Sequence, residues 1–177
     1  MCGTIQQDGI FKMVLTPKQK LKYYRNQQLA KQLILQDAAE DGHIVFGAQA
    51  LNAQLPPHLN KYTEDFDVFT KQSKKEAEQM EKKLDKAYGG DYFRVQSAIH
   101  KGTYKVKSNV TNRTVADYTG QGKKPRFKKI LGVKYADLKS IKRKIGKTLR
   151  DEAQEFRHDK DRETLQRIKL HEKTLDW

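Results

Sequence analysis

The stretch Ile44 to Phe69, IVFGAQALNAQLPPHLNKYTEDFDVF, sets the reading of the whole chain. Ile44-Val45-Phe46 is a short apolar run of the kind that forms a buried strand. Gly47 breaks it, and Ala48 to Leu55 reads as a short helix. Pro56-Pro57 turns the chain toward a second strand, Glu64 to Phe69, which carries Asp65 and Asp67. Residues two apart on a strand project from one face. The two carboxylates therefore point together, while Phe66 and Phe69 serve packing. Neighbouring acids repel and resist ionisation. A divalent cation relieves that repulsion, and Mg²⁺ favours carboxylate, water and phosphate oxygens. Alone, the acid pair is common and fits a solvated strand edge better. With Gly47 and the helix at this distance, it favours a metal site suited to a nucleoside triphosphate.

Outward from this stretch the chain alternates helix and strand signals. Thr16-Pro17 is a helix start, with Thr at the cap and Pro in the first turn. Apolar residues at Leu21, Tyr24, Leu29, Leu33, Ile34 and Ala38 keep helical spacing to about Glu40. Asp41-Gly42 ends that helix. Ser73 with Glu76 matches a capping box, and Ala77, Met80, Leu84 and Tyr88 mark the buried face of a helix stopped by Gly89-Gly90. Three extended segments follow at 91–98, 103–110 and 113–118, with a turn at Thr111-Asn112. Residues 120–129, GQGKKPRFKK, read as a basic, flexible connection, and 132–135 as a further short strand. Helices are expected at 138–155, capped by Asp137, and at 159–175. The predicted fold class is α+β: a mixed sheet flanked by helices, with a C-terminal helical pair. The expected organisation is a loosely held N-terminus at 1–15, an α/β core at 16–135 and a C-terminal helical segment at 136–177.

The chain has 177 residues, enough for one domain with a real core. It is 36% hydrophobic and 33% charged, and its 36 basic against 22 acidic residues give a net charge of +14. That excess suits polyanionic partners such as nucleotides and nucleic acid, and equally suits a Lys-rich chain whose charge serves solubility. A single cysteine, Cys2, leaves no internal disulfide framework. No apolar run approaches membrane-spanning length, and no signal-peptide core opens the chain. The expected setting is a reducing, cytoplasmic interior. The five histidines show no metal-ligand spacing, and no P-loop motif occurs.

A strand ending in Gly-small, a short helix, and Asp-x-Asp on the next strand resemble the signature of the polymerase-β-like nucleotidyltransferases. The matching residues are Gly47-Ala48, Gln49-Ala50-Leu51-Asn52 and Thr63-Glu64-Asp65-Phe66-Asp67-Val68-Phe69. The pattern is most similar to the minimal branch that includes the bacterial AbiEii-type toxins. That likeness extends to Lys144 and the segment Arg157-His158-Asp159-Lys160-Asp161. The chain departs from the pattern at Ala48, which has no hydroxyl to offer a phosphate; backbone N–H groups at the helix start remain.

The resemblance implies a nucleotidyltransferase-like fold, Mg²⁺ (or Mn²⁺) as cofactor and an NTP as substrate. It implies Asp65 and Asp67 as metal ligands and a third acid on a later strand. Asp117 is the favoured third acid, while Asp91 and Asp137 also flank strands. Gly47, Ala48 and Lys144 are the phosphate-binding candidates. The basic run Lys123, Lys124, Arg126, Phe127 and Lys128 interleaves an aromatic with cations, as single-stranded nucleic acid sites do. The charge points to RNA, tRNA included, as acceptor, with a toxin-like transferase acting on tRNA or protein as the close variant. A compact transferase of this kind suits a virus or mobile element. The rival expectation is a catalytically weak protein of this fold that binds nucleic acid or serves as a structural component. No membrane or protein partner is indicated.

Overall fold

The computed structural model describes residues 4–7 and 10–176. Cys2, and with it part of the 1–15 segment, lies outside the described residues. Within that segment Thr4–Gln7 (β1) and Ile10–Met13 (β2) pair as an antiparallel ribbon. The chain then forms Pro17–Arg25 (α1), Gln27–Asp41 (α2), Ile44–Phe46 (β3), Gly47–Gln54 (α3), Phe66–Phe69 (β4) and Ser73–Tyr88 (α4). Phe93–Ser97 (β5), Thr103–Ser108 (β6), Thr114–Thr119 (β7), Phe127–Ile130 (β8) and Val133–Ala136 (β9) follow. Leu138–Leu149 (α5), a 3₁₀ segment at Glu152–Arg157 and His158–Leu175 (α6) complete it.

Strands β3 to β9 make one seven-stranded sheet in the order β5-β6-β7-β4-β3-β9-β8. Two neighbour pairs, β4/β7 and β3/β9, are parallel, and the others are antiparallel. The α+β expectation with a mixed sheet and flanking helices therefore holds. Both faces carry helices. Residues of α2 and α4 (Ile34, Ala38, Ala77, Met80, Leu84) pack on Val45, Phe66, Val68, Val106, Ala116 and Tyr118 in the main core. Ala50 of α3 and Ile141 of α5 cover Ile44, Phe69 and Ala136 on the other face. Ile168 of α6, fully buried, seals that layer against Leu51 of α3 and Leu55 just beyond it. Among the described residues no helix is long and apolar enough to cross a membrane.

Several local expectations change. The helix expected from Pro17 to Glu40 breaks at Asn26, whose φ/ψ of −118/24 leaves the helical region. Its side-chain amide donates to the Lys22 carbonyl, the backbone competition that Asn typically offers. Ser73 does not cap α4: the N-cap is Gln72, and the Ser73 hydroxyl donates to the Gly102 carbonyl instead. The strand expected from Glu64 begins at Phe66. Phe127–Ile130, read as part of a flexible basic connection, is the edge strand β8, held by its ladder with β9. The helix expected from Leu138 to Glu155 ends at Leu149 and passes into the 3₁₀ segment.

Candidate active site

Asp67 and Asp117 are register partners on the parallel strands β4 and β7. Their side chains leave the sheet on the same face, and Asp65 sits one residue ahead of β4. The three carboxylates offer oxygens that all lie within 4.8 Å of one another. The neighbours fix the arrangement. Thr63 Oγ1 donates to Asp65 Oδ1 at 3.1 Å. Gln49, half-buried on α3, donates to the Asp65 and Thr63 carbonyls at 3.2 and 3.5 Å. Asn52 exchanges two hydrogen bonds with the backbone of Lys61, at 2.6 and 3.0 Å. Gln49 and Asn52 thus hold the 61–65 loop that presents Asp65. Glu64 accepts two hydrogen bonds from Arg113 at 2.8 and 3.0 Å.

Gly47 explains how Asp67 fits. Its φ is +66°, and an ideal Cβ built there overlaps the Asp67 carboxylate. Only glycine both adopts this conformation without strain and leaves room for the acid. Helix α3 starts at this point, and its N-cap, Phe46, makes no side-chain cap. The first amides of α3, including Ala48, are therefore not satisfied by a capping side chain, an arrangement that suits a phosphate.

Crowding among the acids is visible in their proton affinity. Burial, then the charges of Asp65 and Asp117, push the Asp67 carboxyl up to about 7. Burial likewise raises Asp117, against the opposing charge of Lys105. Lys105, the cross-strand partner of Asp117 on β6, brings its ammonium to 4.0 Å. Asp117 Oδ1 is buried without a hydrogen-bond partner. A buried carboxylate oxygen with no hydrogen bond, beside two further acids, fits a divalent cation: oxygen donors only, convergent, with excess negative charge.

Cations close the other side. The Lys144 ammonium lies 4.7 Å from the centre of the Phe46 ring. Lys144 is exposed over much of its length, but its charged end is crowded, and burial lowers its pKa while Asp67 opposes that shift. Lys160, at the start of α6, also lowers the proton affinity of Asp67. Asp161 is buried, with Arg157 Nε 3.4 Å away. The motif pattern does not single out Lys105; the alternation in Thr103–Ser108 is the signal that sets it on the face of Asp117.

The basic run is not against the acids. Lys123 and Lys124 are exposed in the connection after β7. Arg126 is exposed too, its backbone N–H donating to Ser140 Oγ at 3.0 Å. Phe127 and Lys128 lie on β8 at one edge of the sheet, three strands from β4. The Lys134 ammonium covers the Phe127 ring at 4.9 Å. A second group of possible ligands gathers Asp37, Asp41, His43 and Glu76. Lys83 already pairs with Asp37 there, so the cluster is partly neutralised.

No family model and no curated protein sequence matches the chain. Its structure is similar to that of the Megavirus polyadenylate synthase, with a TM-score of 0.68 and 18% identity over 83% of this chain and 32% of that one. JHP933 from Helicobacter pylori aligns with a TM-score of 0.41 and 15% identity over 77% of this chain and 58% of that one, too weak to carry an argument. The chain spans about a third of the polyadenylate synthase. At this identity the likeness establishes a nucleotidyltransferase-like fold.

Proposed function

We propose that the chain is a nucleotidyltransferase that moves a nucleoside monophosphate from an NTP to an acceptor hydroxyl and releases pyrophosphate. The observation that carries this reading is the convergence of Asp65, Asp67 and Asp117 beside the uncapped start of α3. Mg²⁺ or Mn²⁺ held by these acids would offset their repulsion and polarise phosphate oxygens and the attacking hydroxyl. Gly47 and Ala48 offer backbone N–H groups to the triphosphate, so the hydroxyl missing at Ala48 is replaced by main-chain donors. Lys144 and Lys160, both close enough to Asp67 to lower its proton affinity, would offset negative charge growing on the departing pyrophosphate. Asp117, with its raised proton affinity, is suited to accept the proton of the acceptor hydroxyl. In the step, the acceptor oxygen bonds to the α-phosphorus, the α–β phosphoanhydride bond breaks, and pyrophosphate leaves in line.

The net charge of +14 favours RNA, tRNA included, as the acceptor. A toxin-like transferase on tRNA or protein is the close variant, supported by the tail residues Lys144 and Arg157 to Asp161. The test incubates the purified chain with each labelled NTP, Mg²⁺ and total RNA, beside an Asp65→Ala, Asp67→Ala variant. Label on RNA or protein with the wild type alone is the expected result. Equal RNA binding by both chains with no transfer by either would replace it with a binding protein of the same fold.

A further inference from the structure

Tyr62 leaves 82% of its surface exposed and Tyr24 53%, whereas Tyr23, Tyr88, Tyr92 and Tyr118 are buried. The two exposed rings line one cavity of about 460 Å³, between the α1–α2 layer and the turn joining β6 to β7. Lys31 of α2 brings its ammonium to 5.7 Å from the Tyr62 ring centre. Arg113 forms the opposite wall. A shallower cavity shares Tyr62, Glu64, Arg113 and Thr114 with the first and reaches Asp65. A groove thus runs from the tyrosines as far as Asp65.

We propose that this groove holds an unpaired base of the acceptor strand, next to the nucleotide whose hydroxyl reacts. The inference rests on the nucleotidyl transfer proposed above. Attacking and leaving oxygens lie on opposite sides of the transferred phosphorus. In that reaction the pyrophosphate would lie toward Gly47, which abuts Asp67, and Lys144, which covers Phe46 on the α3–α5 face of the sheet. The tyrosine cavity is walled by α1 and α2, which pack on the opposite face. Asp67 and Asp117 themselves leave the sheet on the α3–α5 face, opposite Phe66, Val68, Ala116 and Tyr118 of the main core. The groove therefore meets the cluster at Asp65, around the strand ends, and an acceptor strand laid in it would enter there.

The chemistry of the walls defines the ligand. Exposed aromatic rings beside Lys and Arg are the combination that stacks bases and holds phosphates of single strands. The acid of the groove is already taken: Glu64 accepts from Arg113 and from the Tyr62 hydroxyl. Recognition is therefore by stacking and charge, and tolerant of base identity.

The test measures anisotropy of a short fluorescent single-stranded RNA, and of the same oligonucleotide with abasic sites, on the full chain. Calorimetry with ATP and Mn²⁺ runs in parallel. Tyr62→Ala and Tyr24→Ala should each weaken RNA binding by about tenfold. Tyr62→Phe should restore it, and abasic binding and ATP binding should not change. Unchanged RNA affinity in both alanine variants would overturn the proposal. Loss of ATP binding with RNA binding intact would also overturn it, assigning the cavity to the base of the NTP. Tyrosine-dependent RNA binding by a wild type that binds no ATP would sink the transfer reaction and leave the base groove standing.

Discussion

Gly47 is where the conformation of one residue controls the acid cluster. Its left-handed backbone and missing Cβ make room for the carboxylate of Asp67. Gly47→Ala is expected to destabilise the chain by about 1–2 kcal/mol through the left-handed strain. The added methyl group also displaces Asp67, and loss of a group that buttresses a metal ligand typically lowers metal affinity by about 10- to 100-fold. Thermal unfolding and Mn²⁺ titration read the two effects separately; unchanged Mn²⁺ affinity would show that Asp67 does not depend on this glycine. The glycine was legible in the sequence as a turn between strand and helix. Its close approach to Asp67 was not, because it depends on the antiparallel pairing that sets Phe46 opposite Asp67.

Among elements, α5 and α6 have the largest effect on the site. They deliver Lys144 and Lys160 from the far end of the chain, and α6 is fastened by Ile168 against Leu51 of α3 and Leu55 just beyond it. The Arg167 guanidinium adds a hydrogen bond to the Leu59 carbonyl at 3.1 Å. Ile168→Ala removes a fully buried side chain and is expected to cost about 2–4 kcal/mol. Urea unfolding measures that loss. Hydrogen exchange across 158–175 should quicken and NTP affinity should fall, while protection of the α2–α4 layer is kept. Helical periodicity located both helices, since one-face spacing is a local property. Strand β8 escaped notice for the same reason: FKKI has little apolar alternation, and its strand state comes from pairing with β9.

On the scale of the whole molecule, the acid cluster ties global stability to pH and to metal. Asp67 holds its proton up to about 7 in the folded chain, well above the ordinary carboxylate range. Between that range and pH 7 the folded state binds more protons than the unfolded state, so metal-free stability falls as pH rises. It is fully lowered above about 7. Asp67→Asn should therefore unfold at a higher temperature than the wild type at pH 8 without metal, by on the order of 1–3 kcal/mol, and at nearly the same temperature at pH 4. Mg²⁺ or Mn²⁺ should stabilise the wild type at pH 8 and leave the variant almost unmoved. A wild type indifferent to both cations at pH 8 would remove the metal site.

Short-range pattern determined much of this protein from its residues alone. Period-2 and period-3.6 spacing and Gly and Pro breaks located most of the strands and helices. Asp-x-Asp behind Gly47 marked one side of a candidate metal site. The tertiary structure decided the rest. Asp117 stands beside Asp67 because β7 lies parallel to β4 in one register. Lys105 joins from β6, Lys144 and Lys160 arrive on the C-terminal helices, and the basic run leaves for the opposite edge. Strand order and register follow from burying both faces of one sheet at once, and no window of sequence contains that constraint.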